Sequence, residues 1–441
     1  MLRFLSAGES HGPVLTAILD GMPAGLKLDL DAINHDLRRR QQGYGSGARM
    51  NIEHDTVHIT AGVAAGLTTG APLALAVENR DFKNWREKDI APMTVPRPGH
   101  ADLTGAVKYG YRDLRVALER ASARETSMRV AVGALCKTYL AQFGITVGGY
   151  VLQIGAARAV IDESVPYAER FAAAEESDVR CPNAEGTEWM HAAIYQAKVD
   201  KDTLGGLVEV FALGVPAGLG SHVQYDRRLD AKIVAALVSI HAMKGAEIGP
   251  AFDNAGKRGS EVHDEIGLSE GGELRRLTNR AGGLEGGITT GEPIVARVAM
   301  KPISTVMKSL GSVNLATGEP AQTVYERSDF CAVPRAVPIC EAMLALVLAD
   351  ALNEKLGGDS MAEQLARFET LRRARLSDLP MDNVESIAPG AVNAEVTVRA
   401  ADGTTVVAIV TQASVDKLGL KVGGAVSALV KASDLILATA A

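Results

Sequence analysis

The chain has 441 residues, of which 47% are hydrophobic, 22% charged and 4% aromatic, with a formal net charge of −7 at pH 7. That length accommodates two or three ordinary domains, or one large domain with an appendage. The acidic balance argues against nonspecific binding to nucleic acid or membrane, so an anionic ligand has to be held by local basic clusters. Cys136, Cys181, Cys331 and Cys340 show neither CxxC nor Cys/His ligand spacing, which points to a reducing compartment, no disulfide framework and no metal site. The N-terminus lacks a long apolar run. The most apolar helix, near Ile339 to Leu352, is broken by Glu341 and Asp350 and reads as too short for a bilayer, so a cytoplasmic protein is expected.

A short strand opens the chain and ends at Gly8-Glu9-Ser10-His11-Gly12-Pro13. A histidine on such a turn either faces a pocket or decorates the surface. A helix is predicted from an Asp31 cap through Ile33 and Leu37, ending in Arg38-Arg39-Arg40, where the macrodipole favours cations. The loop Gly43-Tyr44-Gly45-Ser46-Gly47-Ala48-Arg49 follows and, with Arg40, could fold over an anion.

The segment Gly62–Leu73 recurs as Gly283–Ile294. Gly62, Gly66, Thr68, Thr69, Gly70, Pro72 and Val77 match Gly283, Gly287, Thr289, Thr290, Gly291, Pro293 and Val298 in register. Each copy is a glycine-rich turn feeding an apolar strand, Leu73–Val77 or Ile294–Met300, and the agreement predicts a duplicated, pseudo-twofold core.

Between Arg97 and Arg129 lies the densest basic stretch: Arg97-Pro-Gly-His100-Ala-Asp102, then Lys108, Arg112 and Arg115, then Arg120-Ala-Ser122-Ala-Arg124-Glu125-Thr126. Ser122 and Glu125 form a capping-box pattern ahead of Val130, Ala131, Ala134 and Leu135 at helical spacing. A helix start flanked by Arg120 and Arg124 is either an anion site or a solvated basic end.

Residues 162–204 are acidic and irregular, turning helical near Met190–Ala197. A strand at Leu207–Val215 leads to a helix over Asp230–Met243, closed by Gly245–Gly249. Lys301-Pro302-Ile303-Ser304-Thr305 ends the second-copy strand with a cation beside two hydroxyls, and Arg327-Ser328-Asp329 precedes a helix at about Pro338–Lys355. After a charged helix, Met361–Arg375, the texture turns Ala- and Val-rich with period-two alternation. Asn393–Arg399, an Asp402-Gly403 turn and Thr404–Val410 read as a hairpin, with strands at Ala425–Lys431 and Leu435–Leu437. This predicts a separate small all-β module over 376–441 behind a main domain of 1–375.

On Gly8-Glu-Ser-His-Gly12, Arg39-Arg40-Gln with Gly43-Tyr-Gly45, Arg97-Pro-Gly-His-Ala-Asp102, Arg120–Thr126, Gly286-Gly-Ile-Thr-Thr-Gly291 and Arg327-Ser-Asp329, residues 1–375 resemble the chorismate synthase family. The resemblance implies an α+β fold, a β-α-β sandwich with internal pseudo-twofold duplication and antiparallel sheets, assembled as a homotetramer. It implies a carbon–oxygen lyase of the shikimate pathway that forms chorismate from 5-enolpyruvylshikimate 3-phosphate by anti 1,4-elimination. Reduced FMN is required without net redox change, and some members also reduce FMN with NADPH.

Carried over residue by residue, His11, as a cation, would protonate the departing phosphate. His100 would hold a proton near the reduced flavin, and Asp329 would act at flavin N5. Ser10, Arg40, Arg49, Arg97, Ala123, Arg124, Arg327 and Ser328 would line the substrate site, where arginine forks suit phosphate and carboxylates. FMN would lie against Arg120, Ala121, Ser122, His241, Ala242, Gly286, Lys301, Pro302, Ile303, Ser304, Thr305 and Arg327, and NADPH against Arg40 and Ser46. Residues 376–441, with Gly390–Val396, Ser414, Leu418-Gly-Leu420 and Ala428–Ser433, resemble a Mop-like (molybdate-binding, TOBE-like) module. Lys431 and Ser433 would hold its oxyanion, the alternative being a barrel kept for assembly. Two other readings remain, a flavin reductase and an oxyanion-binding protein acting through the tail. No strand-linked G-x-G-x-x-G supports the first.

Overall fold

Two strands, Arg3–Ala7 (β1) and Val14–Asp20 (β2), form the opening hairpin of the computed structural model. It describes every residue except 47–53, 89, 324–328, 380–386, 390–392, 400–402, 404, 425, 432–433 and 440–441. Helix α1, Leu30–Gln41, is capped by Asp29, whose carboxylate accepts from the Ala32 amide at 2.9 Å. Asp31, the expected cap, sits in the first turn, where its charge favours the dipole. Val57–Ala61 (β3) and Leu73–Glu78 (β4) complete an antiparallel sheet of order β1-β2-β4-β3. Helix α2, Thr126–Ala141, follows.

The same series is then repeated. Thr146–Ile154 (β5), Gly206–Leu213 (β6), Leu229–Val238 (α3), Met243–Ile248 (β7) and Ile294–Met300 (β8) give an antiparallel order β5-β6-β8-β7, and Val333–Leu356 (α4) takes the place of α2. The glycine-rich copies form equivalent two-residue ribbons, Val63–Ala64 with Leu67–Thr68 and Leu284–Glu285 with Ile288–Thr289. Thr68 Oγ1 donates to the Pro23 carbonyl and accepts from the Leu26 amide. Thr289 Oγ1 does the same with Pro216 and Leu219. Those contacts expose a second sequence match, Pro23-Ala-Gly-Leu26 with Pro216-Ala-Gly-Leu219, which the sequence reading passed over.

Packing follows from the alternation. Leu15, Ala17, Leu19, Leu73, Leu75 and Val77 turn inward from the first sheet while Leu5 and Ile18 face out. Helix α2 lies against β2 and β4, α4 against β5 and β6, and the two helices pack on each other, giving a sheet–helix–sheet sandwich. A Cβ on Gly133 would come within 2.2 Å of the Ala342 Cβ, so glycine sets the closest approach of the two helices. The second sheet also covers its outer face, burying Tyr150, Leu152, Phe211 and Val295 beside the helix Tyr167–Glu175.

Four expectations about the helices are corrected. The helix read over Asp230–Met243 stops at Val238, because Ala242 turns with φ +67° and Met243–Ile248 pairs with β8; tertiary pairing overrides local helix preference. Helix α4 starts earlier, at Val333, with Pro334 in its first turn, where the missing N–H costs nothing. At 24 residues it is long and apolar enough to cross a membrane, but it is the buried core helix of the sandwich, with Glu341 bonded to Arg39 and Lys137. Met361–Glu369 is shorter than read and carries the capping box Ser360/Glu363.

The chain divides into two compact units, Met1–Arg375 and Leu376–Ala441. The second holds the antiparallel set Ile387–Pro389, Asn393–Arg399 and Thr405–Thr411, and the pair Val426–Lys431 and Asp434–Thr439. It is not purely β, because Gln412–Leu418 is a helix capped by Thr411 and ended by Gly419 at φ +58°. Ala394, Val396, Ala408, Val415 and Leu420 form its own core. Ser433 and the Lys431 side chain lie outside the described residues.

Candidate active site

The triple arginine at the end of α1 divides its work. Arg39 goes to structure, bidentate to Glu341 at 2.7 and 2.8 Å and also bonded to Glu175 and Asp36. Arg40, 2% exposed, donates to Asp55 at 2.5 Å, and Arg124 grips the same carboxylate at 2.6 and 2.8 Å. Burial alone would raise the Asp55 carboxyl, yet the two guanidinium groups hold it below the usual carboxylate range. Burial, with Arg124 and Arg335 adding to it against Asp55, lowers Arg40 to about 10. Arg40 Nε is buried without a hydrogen-bond partner among the described residues. Arg335 donates to the Arg40 carbonyl and to Asp329, so Asp329 joins this network. Arg49, Arg327 and Ser328 lie outside the described residues.

Asn79 ties the network to the opening turn. Its amide donates to the carbonyls of Ser10 at 2.8 Å and Gly12 at 2.9 Å, and its oxygen accepts from Arg124 Nε at 2.8 Å. The Ser122 hydroxyl donates to Ser10 Oγ at 3.0 Å. His11 packs on the Trp85 ring, 4.0 Å between centroids, and its Nδ1 is 2.6 Å from Glu119 Oε1.

A second network surrounds His100. The Asp102 carboxylate is buried and takes His100 Nδ1 at 2.6 Å and Arg97 through Nε at 2.8 Å and Nη2 at 3.0 Å. Burial would raise Asp102, but the bonds from His100 and Arg97 bring it far below the ordinary carboxylate value. Arg97 reaches Thr305 Oγ1 at 3.1 Å, Ser304 Oγ donates to the Gly99 carbonyl and Lys301 Nζ donates to Ser304 Oγ, both at 2.8 Å. The Lys301 amide donates to the Ala242 carbonyl and Thr203 to that of Ile303, so the turns 241–242 and 301–305 meet the Arg97–Asp102 loop.

At the head of α2 the capping box is half formed. Ser122 Oγ accepts from the Arg124 amide, but Glu125 is taken by Ser6 Oγ at 2.6 Å and Arg129 Nε at 2.9 Å. Arg120 donates to the Ser6 carbonyl at 2.9 Å. Burial holds the His241 imidazole below its ordinary value against the pull of Glu125, and Arg129, Arg120 and His100 reinforce burial. His241 Nδ1 is buried without a hydrogen-bond partner among the described residues, although His241 is within charge range of His100.

Ala121 ends the short helix Arg115–Arg120 and the Ala123 carbonyl accepts from Thr126. Pro302 offers its carbonyl to Lys301 Nζ at 3.4 Å. Gly286 lies at the turn of its ribbon at φ +58°, where a Cβ would lie 3.7 Å from that of His222. Ser46 turns its hydroxyl back to the Gly43 carbonyl at 2.7 Å. Sequence reasoning missed Asp55, Asn79, Glu119 and Arg335 as partners; of these, Glu119 and Arg335 lay inside or beside the quoted motifs.

Residues 2–352 match the family model for chorismate synthase and residues 383–437 that of the TOBE domain. A chorismate synthase of Aquifex aeolicus is 53% identical over 387 residues, covering 83% of this chain and 96% of that one. One of Geobacillus kaustophilus is 53% identical over 383 residues, covering 84% and 99%. A crystal structure of chorismate synthase superposes with a TM-score of 0.69 at 48% identity, covering 84% of this chain and 96% of that chain. A duplicated antiparallel sandwich, two arginine–histidine networks and a match along nearly the whole length of these relatives place the chain in the chorismate synthase family, with a TOBE-type domain at its C-terminal end.

Proposed function

We propose that the chain converts 5-enolpyruvylshikimate 3-phosphate to chorismate in the shikimate pathway, by anti 1,4-elimination of phosphate with reduced FMN. The observation that carries this is the buried pair Arg40 and Arg124, whose guanidinium groups converge on the Asp55 carboxylate next to the Asn79 amide that holds the Ser10 turn. Guanidinium forks gathered at one place suit an anion that offers several oxygens. A substrate with one phosphate and two carboxylates is such an anion, and arginine binds those groups bidentately.

His11 is the acid that protonates the departing phosphate, and His100, braced by Asp102, holds a proton on the flavin side. Asp329 takes part in removal of the ring proton. The residues present fit a flavin: His241 Nδ1 is a buried nitrogen with no hydrogen-bond partner among the described residues, 3.9 Å from Glu125 Oε2, and Lys301, Ser304 and Arg120 are donors suited to an anionic group. Arg120, Ala121, Ser122, His241, Ala242, Gly286 and 301–305 would hold it, with Arg327 from the motif. When bound, reduced flavin supplies electron density for the C–O cleavage with no net redox change. Nearby cations favour its anionic form.

Ser10, Arg97, Ala123, Arg49 and Ser328 complete the substrate site in this reading, and the active form is a homotetramer. An anaerobic assay of the purified chain with substrate and reduced FMN tests the proposal through chorismate formation. Its absence would refute the lyase. Oxidation of NADPH in the same assay would add the reductase activity, with Arg40 and Ser46 as its contacts. Heat released by molybdate at the tail would add oxyanion binding.

A further inference from the structure

Glu119 holds the opening turn at three points. Its carbonyl accepts from the Ser10 amide at 3.0 Å, its Oε2 from the His11 amide at 2.7 Å, and its Oε1 lies 2.6 Å from His11 Nδ1. Burial would raise this carboxyl, but the two His11 hydrogen bonds, helped by the charges of His11 and Arg115, bring it below the ordinary glutamate value. It is therefore ionised at neutral pH and accepts, so the Nδ1 proton points at it. Trp85 covers the ring, which fixes the imidazole plane. Three contacts to two consecutive residues set the backbone, the ring tilt and the tautomer together.

We propose that Glu119 is a positioning residue for the elimination: it holds the Nδ1 proton of the His11 imidazolium, so that the Nε2 proton is the one given to the leaving phosphate and the ring is left neutral with its proton on Nδ1. Asp102 stands in the same relation to His100, a carboxylate 2.6 Å from Nδ1, so the fold uses one device for both histidines. A carboxylate that fixes a histidine's tautomer and stabilises its cation acts only through that histidine. The inference rests on the lyase reading above for its rate consequence, but not for the tautomer.

Three readouts separate this role from a scaffold role. In Glu119→Ala, kcat should fall about 10- to 1,000-fold, less than the loss of the whole ~100- to 10,000-fold that a general acid contributes, with KM changed much less. The double variant Glu119→Ala/His11→Ala should be no slower than His11→Ala, because no imidazole is left to orient and only the carboxylate's bond to the amide of residue 11 remains. Nitrogen NMR of the histidine-labelled full chain, recorded at a pH high enough for the imidazole to be neutral, should show the remaining His11 proton on Nδ1 in wild type and displaced to Nε2 in Glu119→Ala. Losses that multiply in the double variant, or an unchanged tautomer, would overturn the proposal. Should Glu119→Ala not fold, Glu119→Gln, which leaves one acceptor oxygen for two donors, is read in the same three ways. A wild-type chain that forms no chorismate would sink the lyase reading and leave the NMR result to decide for Glu119.

Discussion

Replacing Asp55 by asparagine keeps the shape of the side chain and removes the negative charge that Arg40 and Arg124 share among the described residues. Three charge-assisted bonds end on that carboxylate, one from Arg40 and two from Arg124. At about 1.5–3 kcal/mol each their sum would overshoot, since they share one group and the amide oxygen retains a bond. Removing one partner of a buried pair costs about 3–5 kcal/mol, and that is the expected loss. Set against a total of about 5–15 kcal/mol, the variant stays folded but marginal. Trp85 and Trp189 both lie in the first unit, so tryptophan fluorescence during urea unfolding at pH 7 follows that unit alone.

Because the folded-state value of Asp55 is depressed, its contribution is present above the unfolded carboxylate value of about 3.9 and is lost as pH falls through the folded value. The variant should lack that part of the wild-type acid sensitivity. With the Asp55 charge removed from between the two cations, inorganic phosphate should stabilise the variant more than wild type, the variant gaining about 2.7 kcal/mol at one hundred times its own Kd. A loss under about 1 kcal/mol would show that the carboxylate does not hold the pair together. Equal recovery in phosphate would show that the pair does not face an anion site.

Asp102→Asn should cut turnover by on the order of 100-fold or more, measured as chorismate formation, since it disturbs both His100 and Arg97. Gly133→Ala should cost about 1–3 kcal/mol or more by forcing α2 from α4, read as a lowered unfolding midpoint. Thr289→Val keeps the volume but strips the Leu219 amide and the Pro216 carbonyl of their partner, for about 2–4 kcal/mol, and Thr68→Val should behave alike if the halves are equivalent. Deleting residues 376–441 should leave the tryptophan-monitored transition of the first unit cooperative, because that unit has its own core.

Much of this molecule was legible in one dimension. Glycines at 62, 66 and 70 recur at 283, 287 and 291 because the ribbon turns need positive φ, and a backbone requirement of that kind writes itself locally. Arg40, His11, Arg97, His100 and Arg124 stood out because fixed clusters of basic residues in an acidic chain are conspicuous. Helix ends were less clear: Asp29 and Asp31 compete as caps two residues apart, and only the backbone angle at Asp29 decides between them. Met243–Ile248 is a strand because β8 offers it a ladder, which no window around Gly245 reveals.

Tertiary structure decided which charges meet. Asp55 serves Arg124 across 69 residues, Asn79 joins Ser10 and Arg124, and Arg39, next to Arg40, goes to the core through Glu341, 302 positions away. Single acidic or amide residues carry no local signature, since their role depends on what burial leaves for them to satisfy. The sequence by itself determined the repeat and the stock of cations. Folding determined the partners, because a buried charge is tolerated only where the packing brings an opposite charge or a ligand to meet it.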